Sequence, residues 1–122
     1  DVGAEIYDGK DDYVDFAEAA LEKILKDPSN NKGIFLCGSG HGMDMVANKY
    51  PGIRAALAFN NDVAKQSREH EDANVLIFAA DWLQETEVNR IARVWLETKF
   101  TGEERHARRL KKIEEIEEKN FR

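Results

Sequence analysis

The chain has 122 residues, a formal net charge of -6 and a single cysteine, with 42% apolar and 34% charged residues. That length and balance describe one globular domain, residues 1–122, large enough to bury a core without a disulfide or a structural metal. The acidic surplus argues against a nucleic-acid binder, whose phosphate contacts need a basic face. No apolar stretch reaches the roughly 20 residues of a membrane span and no signal peptide is visible, so no membrane partner is expected and the cytoplasm is the expected setting.

The chain opens on "DVGAEIYDG", which reads like the middle of a domain, so an upstream segment is expected. Over 12–26, Tyr13, Phe16, Ala17, Ala20, Leu21, Ile24 and Leu25 recur at helical spacing between charged residues, which predicts an amphipathic helix. "DPSNNKG" then stops it. "GIFLC" (33–37) is a continuous apolar run, the pattern of a strand covered on both faces. Glycines 38, 40 and 42 break that strand, and "MDMVANKY" predicts a short helix closed by Pro51-Gly52. A second strand is expected over 53–59, then a helix capped near Asn61 or Asp62, then a third strand over 73–80. A long helix follows over 84–98, with Val88, Ile91, Ala92, Trp95 and Leu96 on one face. The last helix, 103–119, carries only Leu110, Ile113 and Ile116, a stripe narrow enough to need a partner surface. Strands alternating with helices imply an α/β domain, a parallel sheet with helices on both faces.

In such a sheet, ligands sit at the carboxyl ends of the strands. "GIFLC" delivers Cys37 to that edge, and Gly38, Ser39, Gly40 and Gly42 follow before a helix starts. Convergent N–H groups in this loop suit an anion and favour a thiolate. The spacing is neither the dinucleotide fingerprint nor a Walker loop. Read alone, Cys37 is either a base above an anion cradle or an inert residue in a tight turn. His70, in "REHEDAN", lies just before the third strand and is expected near the same edge. Taken alone, His41 and His70 fit surface or capping roles as well as catalytic ones. Arg105 and Arg109 are four apart, able to grip one anion or to pair with neighbouring glutamates.

Together, "GIFLCGSGHGMDMVANKYPGIRAALAF" (33–59), "REHEDANVL" (68–76), "WLETKFTGEERHARRLKKI" (95–113) and, more loosely, residues 1–17 resemble the type B ribose-5-phosphate isomerase family, which includes the galactose-6-phosphate isomerase subunits. The resemblance implies a Rossmann-like three-layer domain, a homodimer or homotetramer with sites across the interface, and a C-terminal helix packed on a partner subunit. It implies aldose–ketose isomerisation of a phosphorylated sugar through a cis-enediol, with neither metal nor organic cofactor. Cys37 then matches the base, Ser39 the loop hydroxyl that assists proton movement, and His70 the histidine that opens the furanose ring. Gly38, Gly40 and Gly42 match the loop amides that hold the enediolate, and His41 stands in the same loop as a substrate neighbour. Arg105 and Arg109 match the pair that binds the substrate phosphate, contributed by the partner subunit.

The chain departs from the family pattern at three places. The opening strand and its Asp-His segment have no counterpart in these 122 residues. Glu71, at a substrate-binding position, replaces an asparagine. Asp81, in "AAD", replaces an arginine, with Trp82 beside it. Either these carboxylates redirect the site toward another sugar or a silent, ligand-binding or subunit role, or they turn into solvent. A thiol redox role for Cys37 lacks a second cysteine to resolve the oxidised form.

Overall fold

The computed structural model describes residues 1–121. Its elements are α1 (Tyr13–Ile24), β1 (Gly33–Cys37), α2 (His41–Ala47), β2 (Ala55–Leu57), α3 (Asn61–Glu71), β3 (Val75–Ala79), α4 (Glu85–Glu97) and α5 (Glu104–Asn120). The three strands are parallel in the order β1-β3-β2, with Gly33 opposite Val75, Cys37 opposite Ala79 and Ala55 also opposite Val75. All three carboxyl ends therefore lie along one edge of the sheet.

β3 lies in the middle and is where a continuous apolar run is needed. Val75 and Ile77 face one layer while Leu76 and Phe78 face the other, and all four are buried. The first layer is α1 and α2, whose Ala17, Leu21, Ile24, Met43 and Ala47 close on Phe35, Val75 and Ile77. The second is α3 and α4, whose Ala64, Ile91 and Trp95 close on Leu76 and Phe78. Helices on both faces of a parallel sheet give the three-layer α/β architecture expected from the alternation of elements.

β1 differs from the expectation. Phe35 is buried, but Ile34 and Leu36 on the opposite face are 39% and 49% exposed. Among the described residues β1 pairs with β3 alone, and this face is only partly covered. Two smaller corrections concern helices. Asn60, not Asn61 or Asp62, caps α3, its Oδ1 accepting the Val63 N–H at 2.8 Å. Leu96 of α4 is exposed, while Ile91 and Trp95 carry the buried face.

The amino-end edge of the sheet is tied by a polar network. Arg68 of α3 is buried, with its guanidinium 5.7 Å from the centre of the Trp95 ring. Its Nη1 donates to the Ala73 carbonyl at 2.6 Å and to Asp72 Oδ1 at 2.9 Å, and its Nε donates to the Thr98 carbonyl at 3.2 Å. These bonds join the ends of α3 and α4 to the start of β3, and they satisfy a charge that burial alone would not permit. α5 joins this edge through Thr101, whose N–H and Oγ1 both donate to the Glu69 carbonyl, and through Glu117, whose Oε2 accepts the Gly52 N–H at 3.0 Å. The apolar stripe of α5 stays largely open, with Ile113 and Ile116 exposed, and the helix buries His106 instead. Among the described residues, no helix is long and apolar enough to cross a membrane.

Candidate active site

The carboxyl edge holds the loop between β1 and α2. β1 ends on half-buried Cys37, and the backbone turns back at Gly40. Gly40 has φ +79°, and a Cβ there would lie 2.6 Å from Leu57 Cδ1. The left-handed backbone favours glycine, and a Cβ would have to displace the tip of Leu57. The turn aims the Gly40 N–H at Cys37 Sγ, 3.1 Å away, so the sulfur accepts a hydrogen bond that supports negative charge on it. Ser39 Oγ accepts the His41 N–H at 3.3 Å, which holds the hydroxyl over the first residue of α2. Two of the loop amides are thus committed within the loop, and the Gly40 amide serves the sulfur. Gly40→Ala is expected to cost about 1–3 kcal/mol from backbone strain and contact, seen as a lowered thermal midpoint together with lost activity. An unchanged melt would contradict the strained turn.

Two neighbours complete this edge. The Tyr13 ring of α1 lies against Gly42, where an added Cβ would meet its ring and hydroxyl at 2.5–2.7 Å. Asp81, just after β3, donates its N–H to the Gly38 carbonyl at 2.9 Å and brings its carboxylate against Gly38, 2.9 Å from the position of a Cβ there. Its carboxylate therefore borders the loop, and Trp82 beside it is 81% exposed. Tyr13 was invisible as a site residue in the sequence, because it reads as one more apolar position of a helix. In the first turn of α2, partial burial raises the Asp44 carboxyl above its ordinary value, against the opposing effects of the Asn48 amide bond and of His41.

His70 is not at this edge. α3 starts after the carboxyl end of β2 and runs back, so its last residues precede the amino end of β3. Cys37 and His70 of one chain are separated along the strand direction by the height of a five-residue strand, about 13 Å. The sequence-based placement near one edge fails because a helix that returns between parallel strands ends at the opposite edge. The amino edge carries His70 and Glu71 together with the start of α5. Glu71 is exposed, and its carbonyl accepts the Arg54 Nε–H at 3.0 Å. Arg105 and Arg109 are exposed on α5; Arg105 Nε donates to Glu103 Oε2 at 3.1 Å, and Arg109 makes no ion pair among the described residues. The candidate residues thus fall into two groups on opposite edges, Cys37, Ser39 and the glycine loop on one, His70, Glu71 and the arginines on the other.

The sheet and its layers define an open parallel α/β domain, with a glycine loop that holds a cysteine at its carboxyl edge, where such folds bind ligands. The chain matches the ribose/galactose isomerase family over residues 1–113 and belongs to it. A Bacillus subtilis relative that bears the name sugar phosphate isomerase is 42% identical over 121 residues, covering 99% of this chain and 80% of its own length. Ribose-5-phosphate isomerase B of Mycobacterium tuberculosis is 37% identical over 117 residues, covering 96% of this chain and 72% of the relative. Among solved structures, ribose-5-phosphate isomerase B of Mycoplasma genitalium with bound ribulose-5-phosphate superimposes with a TM-score of 0.92 at 37% identity, over 96% of this chain and 76% of that one. The Clostridium thermocellum ribose-5-phosphate isomerase B follows at 0.88 and 39%, over 96% and 77%.

Proposed function

We propose that this chain isomerises a phosphorylated aldose to the corresponding ketose, of the ribose 5-phosphate to ribulose 5-phosphate type, in a site completed by a second copy of the chain. The observation that carries the reading is the Gly40 N–H on Cys37 Sγ at the carboxyl end of β1, within a chain of the ribose/galactose isomerase family.

Cys37, as thiolate, takes the proton from C2 of the open-chain aldose and returns it to C1 of the resulting cis-enediol. Ser39 relays the proton between the two oxygens, and uncommitted loop amides face the developing negative charge. His41 and Tyr13 border the sugar. His70 of the second copy acts on the ring oxygen to open the furanose, with Glu71 beside it, and Arg105 and Arg109 of that copy bind the phosphate. Freeing Arg105 for this task means releasing it from Glu103, an exchange between two exposed partners that costs little. The reading asks for no metal and no organic cofactor. Because α3 carries His70 away from its own Cys37, only a partner's amino edge can bring the two groups together, and this supports a dimer or a tetramer built from such dimers. The exposed stripe of α5 fits the same assembly. We assign the chain to the cytoplasm on the metabolic character of the reaction.

The Asp81 carboxylate against Gly38 favours a second reading, in which the family chemistry is kept but the sugar differs, because a carboxylate at this loop opposes a nearby phosphate. Turnover measured on ribose 5-phosphate, allose 6-phosphate, galactose 6-phosphate and unphosphorylated sugars separates the readings. The first expects ribose 5-phosphate to have the highest kcat/KM; the second expects another sugar to exceed it. Ligand-dependent thermal stabilisation without turnover of any of them would contradict both.

A further inference from the structure

His106 is the one residue that α5 buries, 4% exposed in a helix otherwise made of charged and open positions. Its ring lies on that of His70, with centroids 4.2 Å apart and planes inclined by 17°. Its Nε2 is buried without a hydrogen-bond partner, 3.8 Å from Glu103 Oε2.

From this stack we propose that His106 is a positioning residue for His70, a flat, buried platform that fixes the plane of the His70 imidazole while its edge stays open to the substrate. The inference rests on the reading of His70 as the ring-opening group.

Each part follows from geometry. The platform is held from both sides: Thr101 ties the start of α5 to Glu69 of α3, and Arg68 ties α3 to Thr98 just ahead of it. His70 therefore has its ring plane set by a buried neighbour and not by solvent, which is what proton transfer to a defined oxygen requires. Two stacked imidazolium ions would repel strongly at this separation, so only one ring can readily be charged. Burial, reinforced by His70 and by Arg105 and more weakly Arg109, holds His106 below the ordinary imidazole value, while Glu103 opposes them. The other charged group nearby on α3, Glu69, is engaged with Lys65 at 3.6 Å.

The test separates ring opening from carbon proton transfer. Turnover of ribose 5-phosphate, largely a furanose, needs both steps, whereas exchange of the C1 hydrogen of acyclic ribulose 5-phosphate with deuterated solvent needs only the second. His106→Ala is expected to lower ribose 5-phosphate turnover about 10-fold, with exchange changed less than about 2-fold. His106→Phe, which keeps the platform, is expected to stay within about 3-fold of the parent in both assays. Equal losses in both assays, or no loss in either, would overturn the proposal. His70→Ala is run alongside. If it leaves furanose turnover intact, the reading of His70 fails and His106 has nothing to position. If it is damaging while His106→Ala is harmless, the inference alone fails. Should His106→Ala not fold, the proton spectrum decides between stack and chance contact. The His70 ring protons, shifted upfield in the parent and in His106→Phe, should return toward free values in His106→Leu. An unshifted His70 in the parent would rule the platform out.

Discussion

Cys37→Ala is expected to lower kcat for the favoured sugar phosphate by about 10²–10⁴-fold, the contribution of a positioned general base, while leaving KM and the melting temperature nearly unchanged. Stability is spared because the side chain is half-buried at the end of β1, so its loss opens no enclosed cavity. The chemical loss is large because the sulfur is the atom to which the Gly40 N–H is directed. Cys37→Ser is expected to do little better. A hydroxyl in the same place accepts the same N–H, but it is far less acidic than a thiol and gives up its proton only to a base. Full activity in Cys37→Ala, by steady-state assay on the purified protein, would remove Cys37 from the mechanism.

His70→Ala is the second large effect. It is expected to lower turnover of the furanose substrate by about 10²-fold or more, through loss of the group that acts on the ring oxygen. The prediction is specific in the step affected: solvent exchange into the acyclic ketose should persist. It should also leave the fold intact, because His70 is at the penultimate position of α3, outside both core clusters. The Arg68 network that closes this edge bonds to Asp72, Ala73 and Thr98 and does not pass through His70. A variant that loses both assays in parallel, with a lowered melting temperature, would show that His70 acts through structure.

Much of this was legible in the sequence, for local reasons. "VLIFA" and "GIFLC" announce strands, and the three glycines after Cys37 announce a turn too tight for side chains, as Gly40 with its positive φ and its contact to Leu57 bears out. The α4 face set by Ile91 and Trp95 follows from spacing alone. The larger failures are non-local. The position of His70 followed from the direction of α3, a signal that the alternation of strands and helices already contained. Tyr13 reaches Gly42 across about thirty residues of chain, and a lone histidine among the charges of α5 gives no sign that it is buried. Asp81 stood out as a departure from the family pattern, but its closeness to Gly38 depends on the pairing of β1 with β3.

The most direct test of a site shared between copies is to co-produce Cys37→Ala and His70→Ala chains and assay the mixed oligomer. If each site takes Cys37 from one chain and His70 from its partner, every mixed pair contains one site with both groups intact and one with neither. Random pairing makes about half of the pairs mixed, so about one quarter of the parent activity should return, from two variants that are each nearly inactive alone. A mixture no more active than its separate components would contradict a site built from two copies of this chain.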